Sequence, residues 1–295
     1  MQVERRAFPL EEQFLNRVTI AAPEFFVPIK MSVTDNAEIN RHVSHLIDAY
    51  DMLPGRPELA FDATWKAFEA SLELIPRPNG SKPSGTKGNL YRFADSGCAR
   101  LMEVVLSYFL PSQACVFLYD RLMDDFGMFG NLRYPKHSPR ARLVNEATTA
   151  LNSEVTDLVK VLEARYGRLG TPSTDRKGAM FLRKCLHGDE MEIGEPRKLK
   201  LTTRARMHLT TSGLLYTLRN ERIHGQSFSP FISSAATIKT YTPTHYAFIV
   251  AYASLHSTWL RLFPSDLSFS AVDLEENVQQ NLARAVKIYG RHWSD

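Results

Sequence analysis

The sequence predicts an all-α protein, a helical bundle carrying a short irregular or β-ribbon N-terminal arm. Three observations lead there. Apolar residues recur at spacings of three and four along most of the chain, the period of a helix with one buried face. No alternation of strand-like and helix-like segments appears, which argues against a parallel sheet. The composition, 44% hydrophobic and 23% charged over 295 residues, is that of a globular chain long enough to bury a large core.

Residues 1–35 read as the arm. Val18 to Ile20 and Phe25 to Val33 are rich in β-branched and aromatic residues, interrupted by Pro23 and Pro28. Proline cannot donate to a ladder, so short edge strands or an extended segment are the most this stretch supports. Ile39, Val43, Leu46, Ile47 and Tyr50 then form a helical stripe behind Asp35, a suitable cap. Phe61, Trp65, Phe68, Leu72 and Ile75 form a second stripe. The two make a hairpin turned at Leu53-Pro54-Gly55. Residues 76–88 read as loop. Gly80 and Gly85 have the gap of a phosphate-binding loop, but Thr86-Lys87 reverses the order that cradle needs and no strand precedes it.

Two short apolar helices, 101–110 and 114–123, are separated at Pro111. The Gly/Pro/basic stretch 127–139 is the expected boundary between the two halves. Beyond it, Val144, Ala147, Leu151, Val155, Leu158 and Leu162 form an amphipathic seam suited to a bundle or to a second copy of the chain. Further helices are expected at 174–186, from Thr202 or Thr203 to Gly225, around Phe248 to Leu262, and through Val278 to Trp293. The chain thus divides into an arm (1–35), a helical region with no role assigned (36–135) and a second bundle (139–295).

Three scattered cysteines, Cys98, Cys115 and Cys185, make no disulfide framework and read as reduced thiols of a cytoplasmic protein. The first residues, MQVERRAFPLEEQ, lack the apolar core of a signal peptide. The most apolar stretch, 246–263, contains His256 and Arg261 and reads as a core helix, so no membrane partner is expected. His42, His45 and Asp48 lie along one helix side but read as surface residues. Cys185, His187, Asp189 and Glu190 match no zinc spacing, and Gly188 explains that segment as a helix end. No metal and no cofactor are expected. Net charge is only +4, yet residues 197–224 hold seven Arg or Lys against the single acid Glu221. Such a local excess can hold phosphates.

The segment LYTLRNERIHG, 215–225, carries the chemistry. It places a guanidinium (Arg219), an amide (Asn220) and an imidazole (His224) within six residues. Asn220 and His224 are i,i+4 and share a helix face. Arg219 and His224 are about 140° apart on an ideal helix. They converge if the helix ends near His224, if Arg219 reaches around, or if a second chain contributes its copy. Gly225 suits such an ending. An imidazole moves protons near neutral pH, and a planar guanidinium stabilises charge building on phosphorus. Alternatively, Arg219, Glu221 and Arg222 form an exposed charged turn, and Asn220 and His224 cap the helix end.

The string Arg219-Asn220-Glu-Arg-Ile-His224-Gly225 resembles the R-x4-6-H signature of the HEPN superfamily (higher eukaryotes and prokaryotes nucleotide-binding), in its form with Asn after Arg and Gly after His. The resemblance covers about residues 139–295. It implies a helical bundle, a homodimer with facing motifs, and metal-independent cleavage of RNA by 2′-hydroxyl attack. Such proteins act as toxins or antiviral effectors, so an antitoxin or defence partner is implied. Arg219, Asn220 and His224 are then catalytic, and Arg222, Arg204 and Arg206 hold the RNA backbone. Gln226 stands where some family toxins carry a modifiable Tyr, so that control is not expected. Two alternatives remain: a HEPN-like RNA- or nucleotide-binding sensor or scaffold that does not cut, and a DNA-binding regulator, which lacks helix-turn-helix spacing.

Overall fold

The computed structural model describes residues 8–22, 24–77, 85–95, 99–107, 110–123, 139–140, 142–143, 150–167, 172–194, 196–224 and 236–294. The protein is all-α, a helical bundle with one two-stranded ribbon among the described residues.

The arm differs from expectation. Pro9–Ala21 forms helix α1. Proline at its start is preset for a first helical turn, and the Glu11 carboxylate accepts the Phe8 N–H at 2.7 Å. The following segment is extended but joins no ribbon. Its backbone is met by side chains: Val27 N–H donates to Asn281 Oδ1 at 2.9 Å, and Ile29 N–H to the Tyr252 hydroxyl at 2.7 Å. Arg17 reaches the last carbonyls of the penultimate helix, donating to Ile288 O and Tyr289 O.

Helices α2 (Ala37–Asp51) and α3 (Pro57–Glu73) form the expected hairpin. The cap of α2 is Asn36, not Asp35: its Oδ1 accepts from the N–H groups of Glu38 and Ile39 at 3.0 and 3.2 Å. Helix α4 (Gly85–Ala94) begins inside the stretch expected to be loop. Helices α5 (Ala99–Ser107) and α6 (Ser112–Met123) follow, separated at Pro111 as expected. Helix α7 (Ala150–Tyr166) buries Val155, Leu158 and Leu162. Val144 and Ala147 of that seam lie outside the described residues. Helix α8 (Pro172–His187) packs on α6. The approach is close: a Cβ on Gly178 would lie 2.4 Å from Tyr119 Cε2.

The antiparallel ribbon of β1 (Met191–Gly194) and β2 (Arg197–Leu199) was not expected. Strands of four and three residues are too short to show a period. Helix α9 (Thr203–His208) runs into a π-helical segment (Leu209–Leu215) and then α10 (Tyr216–Ile223). Helix α11 (Ile238–Leu262) is buried on all sides from His245 to Tyr252, which marks it as the central helix. Helix α12 (Ala271–Tyr289) ends at Gly290, whose φ of 54° breaks the expected terminal helix before α13 (Arg291–Ser294).

The core is a single cluster. It runs from Phe14 and Ile39 through Phe61 and Leu118 to Trp259 and Trp293. Helix α3 lies against both α2 and α11, so helices from either side of the expected boundary share one interior. No helix among the described residues is long and apolar enough to cross a membrane.

Candidate functional site

The candidate motif sits on α10, and the π segment before it fixes where α10 points. Each residue of an ideal helix turns about 100°. An inserted π residue therefore rotates α10 by about that angle relative to α9. The segment is held open from outside. Arg142 donates through Nη2 to Ser212 O at 3.2 Å and to Thr217 Oγ1 at 2.6 Å. Thr217 in turn donates to Gly213 O. Gly213 lies close to its neighbours, a Cβ there falling 3.1 Å from Leu118 and 3.2 Å from Leu143. Such insertions concentrate at functional sites.

On α10 the charged residues are tied to other helices. Arg219 Nη1 donates to Asn220 Oδ1 at 3.0 Å, and Nη2 to Glu69 Oε2 of α3 at 3.1 Å. Both partners of that ion pair are about three-quarters buried, with 25% and 24% of the side chains exposed. Arg222 forms a two-toothed pair with Asp62 of α3. Glu221 does the same with Arg121 of α6. The ring of Tyr216 lies 4.9 Å from the Arg142 guanidinium and 6.0 Å from that of Arg219. Arg219, Glu221 and Arg222 therefore do not form an exposed charged turn.

His224 is where the helix stops. It leaves helical conformation with ψ of 7°, its N–H donates to Asn220 O at 3.0 Å, and its side chain is exposed. The ending required for Arg219 and His224 to approach is thus present. Among the described residues, no hydrogen bond or ion pair joins their side chains. Gly225 and Gln226 lie outside the described residues.

The other expected RNA contacts are placed differently. Arg206 is 5% exposed. It pairs with Glu103 and donates to Leu186 O and His187 O, so it closes the C-terminus of α8 rather than offering charge to solvent. Arg204 is partly exposed, pairs with Asp95 and lies over the Tyr91 ring.

His42 is not a surface residue. It is buried, and its Nδ1 accepts the Trp259 indole N–H at 3.0 Å. The indole N–H on α11 supplies the donor that lets this ring be buried. Among the described residues, no group of three potential metal ligands comes together. Cys115 and Cys185 are buried, and burial pushes both thiols up to about 12.

Sequence reasoning missed Glu69, Asp62, Thr86, Arg142 and Tyr216. The one available signal was the pair of carboxylates seven residues apart on the amphipathic helix that includes Trp65. No family model matches the chain, and no curated protein or solved structure matches it.

Proposed function

We propose that the protein is an endoribonuclease of HEPN type, cutting RNA in the cytoplasm as a homodimer without a metal. The observation that supports this most is the end of α10: an exposed imidazole stands where the helix stops, five residues beyond a guanidinium held from both sides by Asn220 and Glu69. In this reading Arg219 stabilises the negative charge on the scissile phosphate. His224 takes the proton from the attacking 2′-hydroxyl or gives one to the leaving 5′-oxygen. Asn220 holds one edge of the guanidinium. The products carry a 2′,3′-cyclic phosphate and a 5′-hydroxyl. The role such an enzyme serves is that of a toxin or antiviral effector with a controlling partner.

A second reading draws on the ion pairs. A guanidinium already answered by Glu69 also suits a module that binds RNA or nucleotide without cutting. One experiment separates the two. Labelled RNA is incubated with the protein in EDTA beside Arg219→Ala and His224→Ala. The ribonuclease reading expects both variants to fold and to lose about a hundredfold or more in rate, the scale of a lost acid–base group. Variants that cut as fast as the parent would overturn it. A parent that binds RNA and leaves it whole would establish the second reading.

A further inference from the structure

The carboxylate of Glu69 is the meeting point of three donors from three helices. Trp65 Nε1–H of its own α3 donates to Oε2 at 3.1 Å. The Thr86 hydroxyl, in the first turn of α4, donates to Oε1 at 2.5 Å. Arg219 Nη2 of α10 donates to Oε2 at 3.1 Å. A carboxylate oriented by two fixed donors offers the third a fixed acceptor, and an ionic acceptor is about twice as strong as a neutral one. Asn220 takes the other end of the same guanidinium. Arg219 is long and would otherwise sample many rotamers, at a cost in entropy whenever it must act in one. The arrangement of Glu69 and Asn220 removes that freedom.

We propose that Glu69 is a positioning residue for the reaction: it fixes the Arg219 guanidinium at the angle in which its remaining N–H groups meet the scissile phosphate. This deepens the ribonuclease reading and rests on it. It also gives the N-terminal helical region a task, since α3 and α4 supply the carboxylate and its orienting hydroxyl. The site is then composite, with the motif on α10 incomplete without α3.

The test uses the full chain with 15N-labelled arginine. A guanidinium gripped at both ends rotates slowly and shows resolved Nη–H signals, assigned to Arg219 by their loss in Arg219→Lys. Glu69→Ala is expected to abolish those signals. It is also expected to lower kcat for RNA cleavage in EDTA by about a hundredfold, the scale of a 1 Å misplacement, with KM within about twofold. Glu69→Gln, which keeps an acceptor oxygen, is expected to retain the signals and recover most of the rate. Persistence of the signals and of kcat in Glu69→Ala would overturn the proposal, as would a change confined to KM. If the parent cuts no RNA, the ribonuclease reading fails by itself. The Arg219 signals alone then decide whether Glu69 positions the guanidinium. If Glu69→Ala does not fold, Thr86→Ala replaces it: weakened Arg219 signals and a severalfold lower kcat support the proposal, and no change in either overturns it.

Discussion

Asp62 and Glu69 stand seven residues apart on α3, about 10.5 Å along its axis, whereas Arg222 and Arg219 are three apart on α10, about 4.5 Å. Only long side chains close that mismatch, and arginine has the reach. The two pairs run in opposite order along their helices, Asp62 with Arg222 and Glu69 with Arg219. The Arg222 pair is the more enclosed, its arginine side chain only 12% exposed. Arg222→Ala leaves the Asp62 carboxylate without its two-toothed partner. Chemical denaturation is expected to show a loss of about 1.5–3 kcal/mol, the worth of hydrogen bonds to a charged group. A loss below about 0.5 kcal/mol would mean that the pair braces nothing.

At the scale of the element, close contact decides more than propensity. Gly178 lets α8 approach the Tyr119 ring of α6, where a Cβ would overlap it. Gly178→Ala is expected to destabilise the protein by about 1–3 kcal/mol, although alanine favours a helix. A stabilised variant in thermal melts would contradict this packing. The same contrast explains what was legible beforehand. The stripes of α2, α3 and α6 follow from periodicity because their buried apolar residues recur at spacings of three and four. Helix α1 escaped because Phe14 and Val18 bury a narrow stripe beside many polar residues, and its aromatic and β-branched content suggested strand. The π segment escaped because nothing local requires it: Arg142, some seventy residues upstream, holds it open. For the motif, residue types and the helix end at His224 were readable. That Arg219, Arg222 and Glu221 face carboxylates and a guanidinium on distant helices was not, because ion-pair partners leave no spacing in the sequence.

At the scale of the whole molecule, the core encloses four histidines among the described residues: His42, His208, His245 and His256. Burial holds His245 down to about 3 and His256 to about 4, and it lowers His42. His208 is held to about 4 by burial and by the cations Arg142 and Arg204. The unfolded chain takes up these protons near 6.5, whereas the folded chain takes them up only at lower pH. Their contribution is therefore complete above about pH 6.5 and is lost as pH falls towards 4. Asp120 works the other way, since burial raises it to about 6, but it is one group against four. Urea unfolding at pH 7.5 and 5.0 is expected to show a marked fall in stability at the lower pH, about 1.4 kcal/mol per pH unit for each histidine inside its window. His245→Phe, placed between Phe25 and Tyr289, should flatten that dependence. Equal stability at both values would mean that these rings are reached by water.

The account turns on whether Arg219 and His224 act on a single phosphodiester. The most direct measurement is the chemistry of the ends left when total RNA is incubated with the purified protein in EDTA. A 2′,3′-cyclic phosphate opposite a 5′-hydroxyl, formed by the parent and absent with His224→Ala, is the predicted result. Intact RNA, or the same ends at the same rate from His224→Ala, would contradict it.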